Sequence, residues 1–214
     1  MYRMSFACFV LCAILLSLQA QSKGAVQLEI ESAHLKETRR ILISLPVDYE
    51  ANPSKKYPTL YVLNEADNFE WATYIVRLQA SRFGIEDMIV VGLPHAGDYA
   101  GDNNPFTSGD GSALGEGALN YSAFIRLQAV PYVNSRYRAN EGRFIVGHSL
   151  SGLFVVHLFT QHPSAFSTFL ALSPSFHQAQ KIAGELRRLL AHPPRSLGQI
   201  YMSIGDLEHE QIQQ

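Results

Sequence analysis

Phe144-Ile145-Val146-Gly147-His148-Ser149-Leu150-Ser151-Gly152 joins an apolar run to a string close to G-x-S-x-G. In that motif a serine occupies a sharp strand-to-helix turn that lifts its hydroxyl above the end of a parallel sheet. The neighbours test this. Arg143-Phe144-Ile145-Val146 reads as a short buried strand, and Leu153-Phe154-Val155-Val156-His157-Leu158-Phe159 is apolar enough for a packed helix. A glycine before the serine permits a strained turn, and small residues after it let helix and strand approach closely. Ser151 takes the second position after Ser149, with Gly152 one step on, and a side chain as small as serine keeps the turn feasible. Without strand and helix the same string is a tight turn with a capping serine. With both, Ser149 is the candidate nucleophile.

Outward from this turn, strands and helices alternate. Residues 26–31 alternate strictly between apolar and polar, and residues 39–45 form a second strand, together an antiparallel sheet edge. Residues 46–58 hold Pro46, Pro53 and Pro58 and read as a surface loop. Residues 59–63 and 88–91 read as buried strands around a helix at 69–82. Residues 118–138 are helical, bent or broken at Pro131. Beyond the turn come a His162-Pro163 helix stop, a strand at 168–172, a helix at 179–191 and a strand at 199–204. The pattern predicts an α/β fold with a mostly parallel, doubly wound sheet and an antiparallel N-terminal edge.

Residues 1–20 have Arg3 in the head, an apolar stretch over 6–18 and a small residue at Ala20, the pattern of a cleaved secretory signal. Export to the periplasm or the exterior follows as an expectation, with no membrane anchor afterwards, since the run is short for a span. Both cysteines, Cys8 and Cys12, fall inside it, so the domain at 25–214 is expected to fold without disulfides. Seventeen Lys and Arg against nineteen Asp and Glu give a net charge of −2, which excludes the basic surface of a nucleic-acid binder.

The runs Tyr57-Pro58-Thr59-Leu60-Tyr61-Val62-Leu63, Pro131-Tyr132, Tyr137-Arg138 ahead of the Ser149 motif, His162-Pro163-Ser164-Ala165-Phe166 and Leu172-Ser173-Pro174-Ser175-Phe176 are similar to the putative esterase (esterase D) family of α/β-hydrolases. Its siderophore-esterase-like branch is the most similar. The resemblance covers about residues 26–208. It implies a carboxylic ester hydrolase that acts through an acyl-enzyme on Ser149, on a small-molecule ester, with no cofactor or metal. It also implies two backbone donors for the oxyanion, the N–H of Leu150 and one from the loop Asn64-Glu65-Ala66-Asp67-Asn68-Phe69. Family members usually show Asp-Gly where this chain has Asn64-Glu65. A backbone donor needs no particular side chain, so Glu65 still supplies it, provided its carboxylate turns away from the developing charge.

A serine hydroxyl needs a histidine to take its proton and an acid to orient that histidine, in the chain order serine, acid, histidine. Gly205-Asp206-Leu207-Glu208 follows the last strand, and the family pattern points to Glu208 as the acid, with Asp206 second. His209 adjoins Glu208 with no strand to carry it to Ser149. His148 reads as a packing residue, His95 and His177 lie on loops after strands, and His34, His157, His162 and His192 read as structural. The catalytic histidine is therefore expected beyond residue 214, the domain lacking its last strand and helix and the chain by itself being inactive or weakly active.

Residues 94–117 contain six glycines, two prolines and four acidic residues, Asp98, Asp102, Asp110 and Glu116, with no lysine or arginine. They read as a long mobile loop. Siderophore-esterase relatives tend to carry arginine in the matching region, so this charge favours a neutral or cationic ester. Asp98, Asp102, Asn103 and Asn104 match no calcium-loop spacing and read as a solvated turn. Two other functions fit the same residues: an acyltransferase of this fold, and a catalytically inactive hydrolase-like binding protein.

Overall fold

The alternation at the start of the chain makes a strand with one buried face. β1 (Val26–Ser32) turns Ile30 inward and pairs antiparallel with β2 (Glu37–Ser44), whose Ile41 and Ile43 are also buried. The computed structural model describes residues 24–64, 66–96, 99–104, 115–176 and 179–205. β3 (Tyr57–Leu63) and β4 (Ile89–Leu93) are buried at every position, as strands covered on both faces must be. β5 (Ala139–His148), β6 (Thr168–Leu172) and β7 (Gln199–Ser203) complete a sheet in the order β1-β2-β4-β3-β5-β6-β7. β2 meets β4 antiparallel, and every pairing from β4 to β7 is parallel. This is the α/β, mostly parallel sheet with an antiparallel N-terminal edge that the sequence predicts. β3 begins two residues earlier than expected because a register shift between Tyr57 and Thr59 accommodates Pro58, which has no N–H for a regular ladder.

One face of the sheet is covered by α1 (Ala66–Phe83), which packs Phe69, Ala72 and Val76 on Leu60, Val62, Val90, Phe144 and Val146. After the short α2 (Tyr99–Asn103), the other face is covered by α3 (Glu116–Phe124), α4 (Val130–Arg136), α5 (Leu150–Gln161) and α6 (Gln180–Ala191). Tyr121, Phe154 and Phe159 meet Tyr57, Tyr61, Ile145 and Phe169 there. The expected break at Pro131 is absent. Instead, a π-helical stretch, Ile125–Ala129, joins α3 to α4, Val130 N–H reaching back five residues to Ile125 O, and this widened turn just ahead of Pro131 accommodates a residue with no N–H to donate.

The segment at 94–117 also departs from the long loop expected of it, since α2 lies within it and α3 begins at Glu116. Asp102 is not a solvated turn residue. Its side chain is 7% exposed and forms a bidentate pair with Arg39 of β2, both contacts at 2.6 Å. Residues 1–23, with the expected signal and both cysteines, lie outside the described residues, as do Asp98 and Asp110. Among the described residues no helix is long and apolar enough to cross a membrane.

His157, read as structural, sits on α5 at 1% exposure, with Nδ1 lacking a partner among the described residues. Burial pushes its pKa down to about 4, helped by the positive charges of His162 and Lys181. The ordinary value is 6.5, so above that pH both folded and unfolded chains hold a neutral ring and nothing is lost. Below it the unfolded chain takes up the proton first, and stability falls until the folded ring titrates near 4. Over this window the loss is about 3 kcal/mol. Urea unfolding at pH 7 and pH 4.5 should show it, and His157→Leu should reduce the difference.

Candidate active site

The turn after β5 carries Ser149 at φ 58°, ψ −118°, a left-handed conformation that costs a non-glycine residue about 1–3 kcal/mol. Hydrogen bonds on both sides hold it. Ser149 N–H donates to Leu172 O at 2.9 Å, while Ser149 O accepts from Leu153 N–H at 3.0 Å and Ser175 N–H at 3.2 Å. α5 starts at Leu150, three residues ahead of the apolar pattern, because Ser151 and Gly152 are buried without being apolar. A Cβ at Gly147 would meet Ser151 O at 2.4 Å, and one at Gly152 would meet Leu172 O at 2.8 Å. Both glycines are therefore needed for the helix to leave the strand so closely.

The hydroxyl of Ser149 is half-buried and lies 3.2 Å from the hydroxyl of Ser175, on the loop after β6. No local signal marks Ser175 for a role, although the run Leu172-Ser173-Pro174-Ser175 carries part of the family resemblance. A backbone tie fixes this loop, Ser173 N–H donating to Ser203 O at 2.7 Å, with Ser173 itself at φ 44°. Leu150, the first residue of α5, has an N–H with no intrahelical acceptor, and the positive end of the helix dipole lies behind it. Such a group is able to receive an oxyanion. Asn64, the residue after the adjacent strand β3, stands at φ 83° and donates from Nδ2 to Ser151 Oγ at 2.6 Å.

Glu65, the second expected donor, lies outside the described residues, as do Asp206, Glu208, His209 and His177. His148 is exposed rather than packed, and lines an apolar groove of about 270 Å³ between α1 and the sheet with Trp71, Val146 and Leu172. Strand alternation explains this, because Val146 and His148 face α1 while Gly147 faces α5. No histidine among the described residues is hydrogen-bonded to Ser149 Oγ, whose hydroxyl partner is Ser175. No group of three or more potential metal ligands occurs among the described residues.

A family model described as "Putative esterase" matches residues 32–212. Ferri-bacillibactin esterase BesA of Bacillus subtilis (strain 168) is 30% identical over a 172-residue alignment that covers 69% of this chain and 57% of that protein. The chain thus spans a little over half the length of this curated relative. Among solved structures, siderophore hydrolase EstB from Aspergillus nidulans superposes with a TM-score of 0.74 at 20% identity, over 89% of this chain and 72% of that one. The BES protein from Bacillus cereus does so with a TM-score of 0.72 at 23% identity, over 89% and 78%. At these identities the structural likeness bears on the fold alone.

Proposed function

Because the chain belongs to the putative esterase family, we propose that it is a serine carboxylic ester hydrolase working through an acyl-enzyme on Ser149. The observation that carries this is the strained turn, which holds a half-buried hydroxyl at the N-terminus of α5. In the proposed reaction Ser149 Oγ attacks the ester carbonyl carbon and gives its proton to a histidine outside the described residues, oriented by Glu208. The oxyanion is received by the N–H groups of Leu150 and Glu65, the alcohol leaves with the proton, and water then releases the acid. Export, read from residues 1–20, belongs to the same proposal.

The substrate class is a small-molecule ester. The expectation of a neutral or cationic one rested on four acidic residues, and one of these, Asp102, has its charge matched by Arg39. The relative named as a ferri-bacillibactin esterase makes a siderophore ester the first substrate to assay. A fluorophosphonate probe, applied to the protein expressed from its full reading frame, tests the nucleophile directly. Labelling that maps to Ser149 supports the proposal, whereas a folded protein that refuses the probe indicates a hydrolase-like binding protein, whose serine is held by the hydroxyl of Ser175 and not activated.

Ser175 has a role in the same scheme. Its hydroxyl fixes the rotamer of Ser149 through one neutral hydrogen bond, worth about 1 kcal/mol. Ser175→Ala is expected to lower kcat about fivefold with KM unchanged, as measured by steady-state hydrolysis of a chromogenic ester.

A further inference from the structure

We propose that Asn64 and Ser151 form a clamp that registers the oxyanion loop against the nucleophile turn, making both of them positioning residues; this rests on the esterase reading above. Ser151 is fully buried, and its hydroxyl has no capacity left. It donates to His148 O at 2.9 Å and accepts from His148 N–H at 2.9 Å and from Asn64 Nδ2 at 2.6 Å, which uses the one proton and both lone pairs. The first two bonds bridge the residues on either side of Ser149. The third reaches another strand, 87 residues away in the chain.

The placement gives the bond its consequence. The two expected oxyanion donors, the N–H groups of Leu150 and Glu65, each belong to the residue next to one end of the 2.6 Å contact. Donors to an oxyanion act only when held about 3 Å from where the charge develops. Asn64 suits the position on two counts. It tolerates φ 83°, as asparagine does better than most side chains, and it is 6% exposed with its amide directed at Ser151. The pair also departs together from the pattern that the chain resembles, which has aspartate in place of Asn64 and glycine in place of Ser151. The chemistry links these departures. The proton of Ser151 serves His148 O, so a carboxylate at position 64 would either face only lone pairs or draw that proton away and leave His148 O without it.

The test compares Asn64→Asp, Ser151→Gly and the double variant with the unaltered protein, all expressed from the full reading frame, using p-nitrophenyl acetate. Asn64→Asp is expected to lower kcat about 10- to 100-fold with KM within about twofold. In the Ser151→Gly background the same change is expected to cost less than about threefold, because the opposing oxygen is gone. The ratio of Asn64→Asp to unaltered rates should rise as the pH falls, since a protonated carboxyl regains a proton to donate to Ser151. Equal losses in both backgrounds, or a loss confined to KM or to the melting temperature, overturn the clamp. If Ser151→Gly does not fold, the pH ratio decides, and a flat ratio overturns it. Failure of the unaltered protein to hydrolyse the ester or label at Ser149 overturns the esterase reading, and the clamp's catalytic role with it.

Discussion

Ser149→Ala, made in the full reading frame, is expected to abolish fluorophosphonate labelling and to lower ester hydrolysis by about 10³-fold or more, leaving only what the oxyanion donors and substrate binding supply. The two nearby serines are poor substitutes. Ser151 is buried with its hydrogen-bonding capacity filled, and Ser175 stands on a loop with no helix N-terminus directly behind it. Stability should respond differently. Alanine keeps the Cβ that makes φ 58° unfavourable and loses only the hydrogen bond to Ser175, so Ser149→Ala should unfold within about 1 kcal/mol of the unaltered protein. Ser149→Gly removes the Cβ, and the relieved strain should outweigh the added freedom of the unfolded chain. A protein that loses its reaction in both variants but gains stability only with glycine carries a turn strained for chemistry. Equal labelling of Ser149→Ala and the unaltered protein would rule Ser149 out as the nucleophile.

What could be read from the sequence follows the range of the interaction responsible. The strands were legible because period-two alternation and short apolar runs are local signals, and the turn at Ser149 because its glycines are needed within five residues of one another. The strand-turn-helix order places Leu150 at the start of the helix, where its N–H has no intrahelical acceptor. The missed features all depend on contacts distant in sequence. Arg39 and Asp102 are 63 residues apart, Asn64 and Ser151 are 87, and neither pair has a local signature. Asp102 therefore read as a solvated turn residue. Pro131 marked the irregularity but neither its form nor its place, since the π-helical stretch at 125–129 precedes it. Ser175 stood in a noticeable run, but only the close approach of the β5 and β6 loops brings it to Ser149.

The pair between Arg39 and Asp102 sets the second large effect. Burial disfavours a charged guanidinium at Arg39, the Asp102 carboxylate more than offsets this, and the pKa ends above its ordinary value. Glu37 adds a contact, and the guanidinium lies 5.6 Å from the centre of the Tyr121 ring, whose hydroxyl donates to Leu93 O at 3.1 Å. β2, α2, α3 and the end of β4 thus meet at one buried charge pair. Arg39→Met leaves the carboxylate at 7% exposure without its partner and should cost about 3–5 kcal/mol in urea unfolding. Asp102→Leu leaves the guanidinium and should cost a similar amount. The double variant exposes the meaning of the pair. Two apolar side chains carry no charge to strand, so it should recover most of the loss and unfold within about 1–2 kcal/mol of the unaltered protein. Additive losses would instead mean that each side chain acts through its own packing. If the double variant recovers stability yet hydrolyses esters more slowly, the charge pair is holding the 99–104 segment in a position that apolar contact alone does not specify.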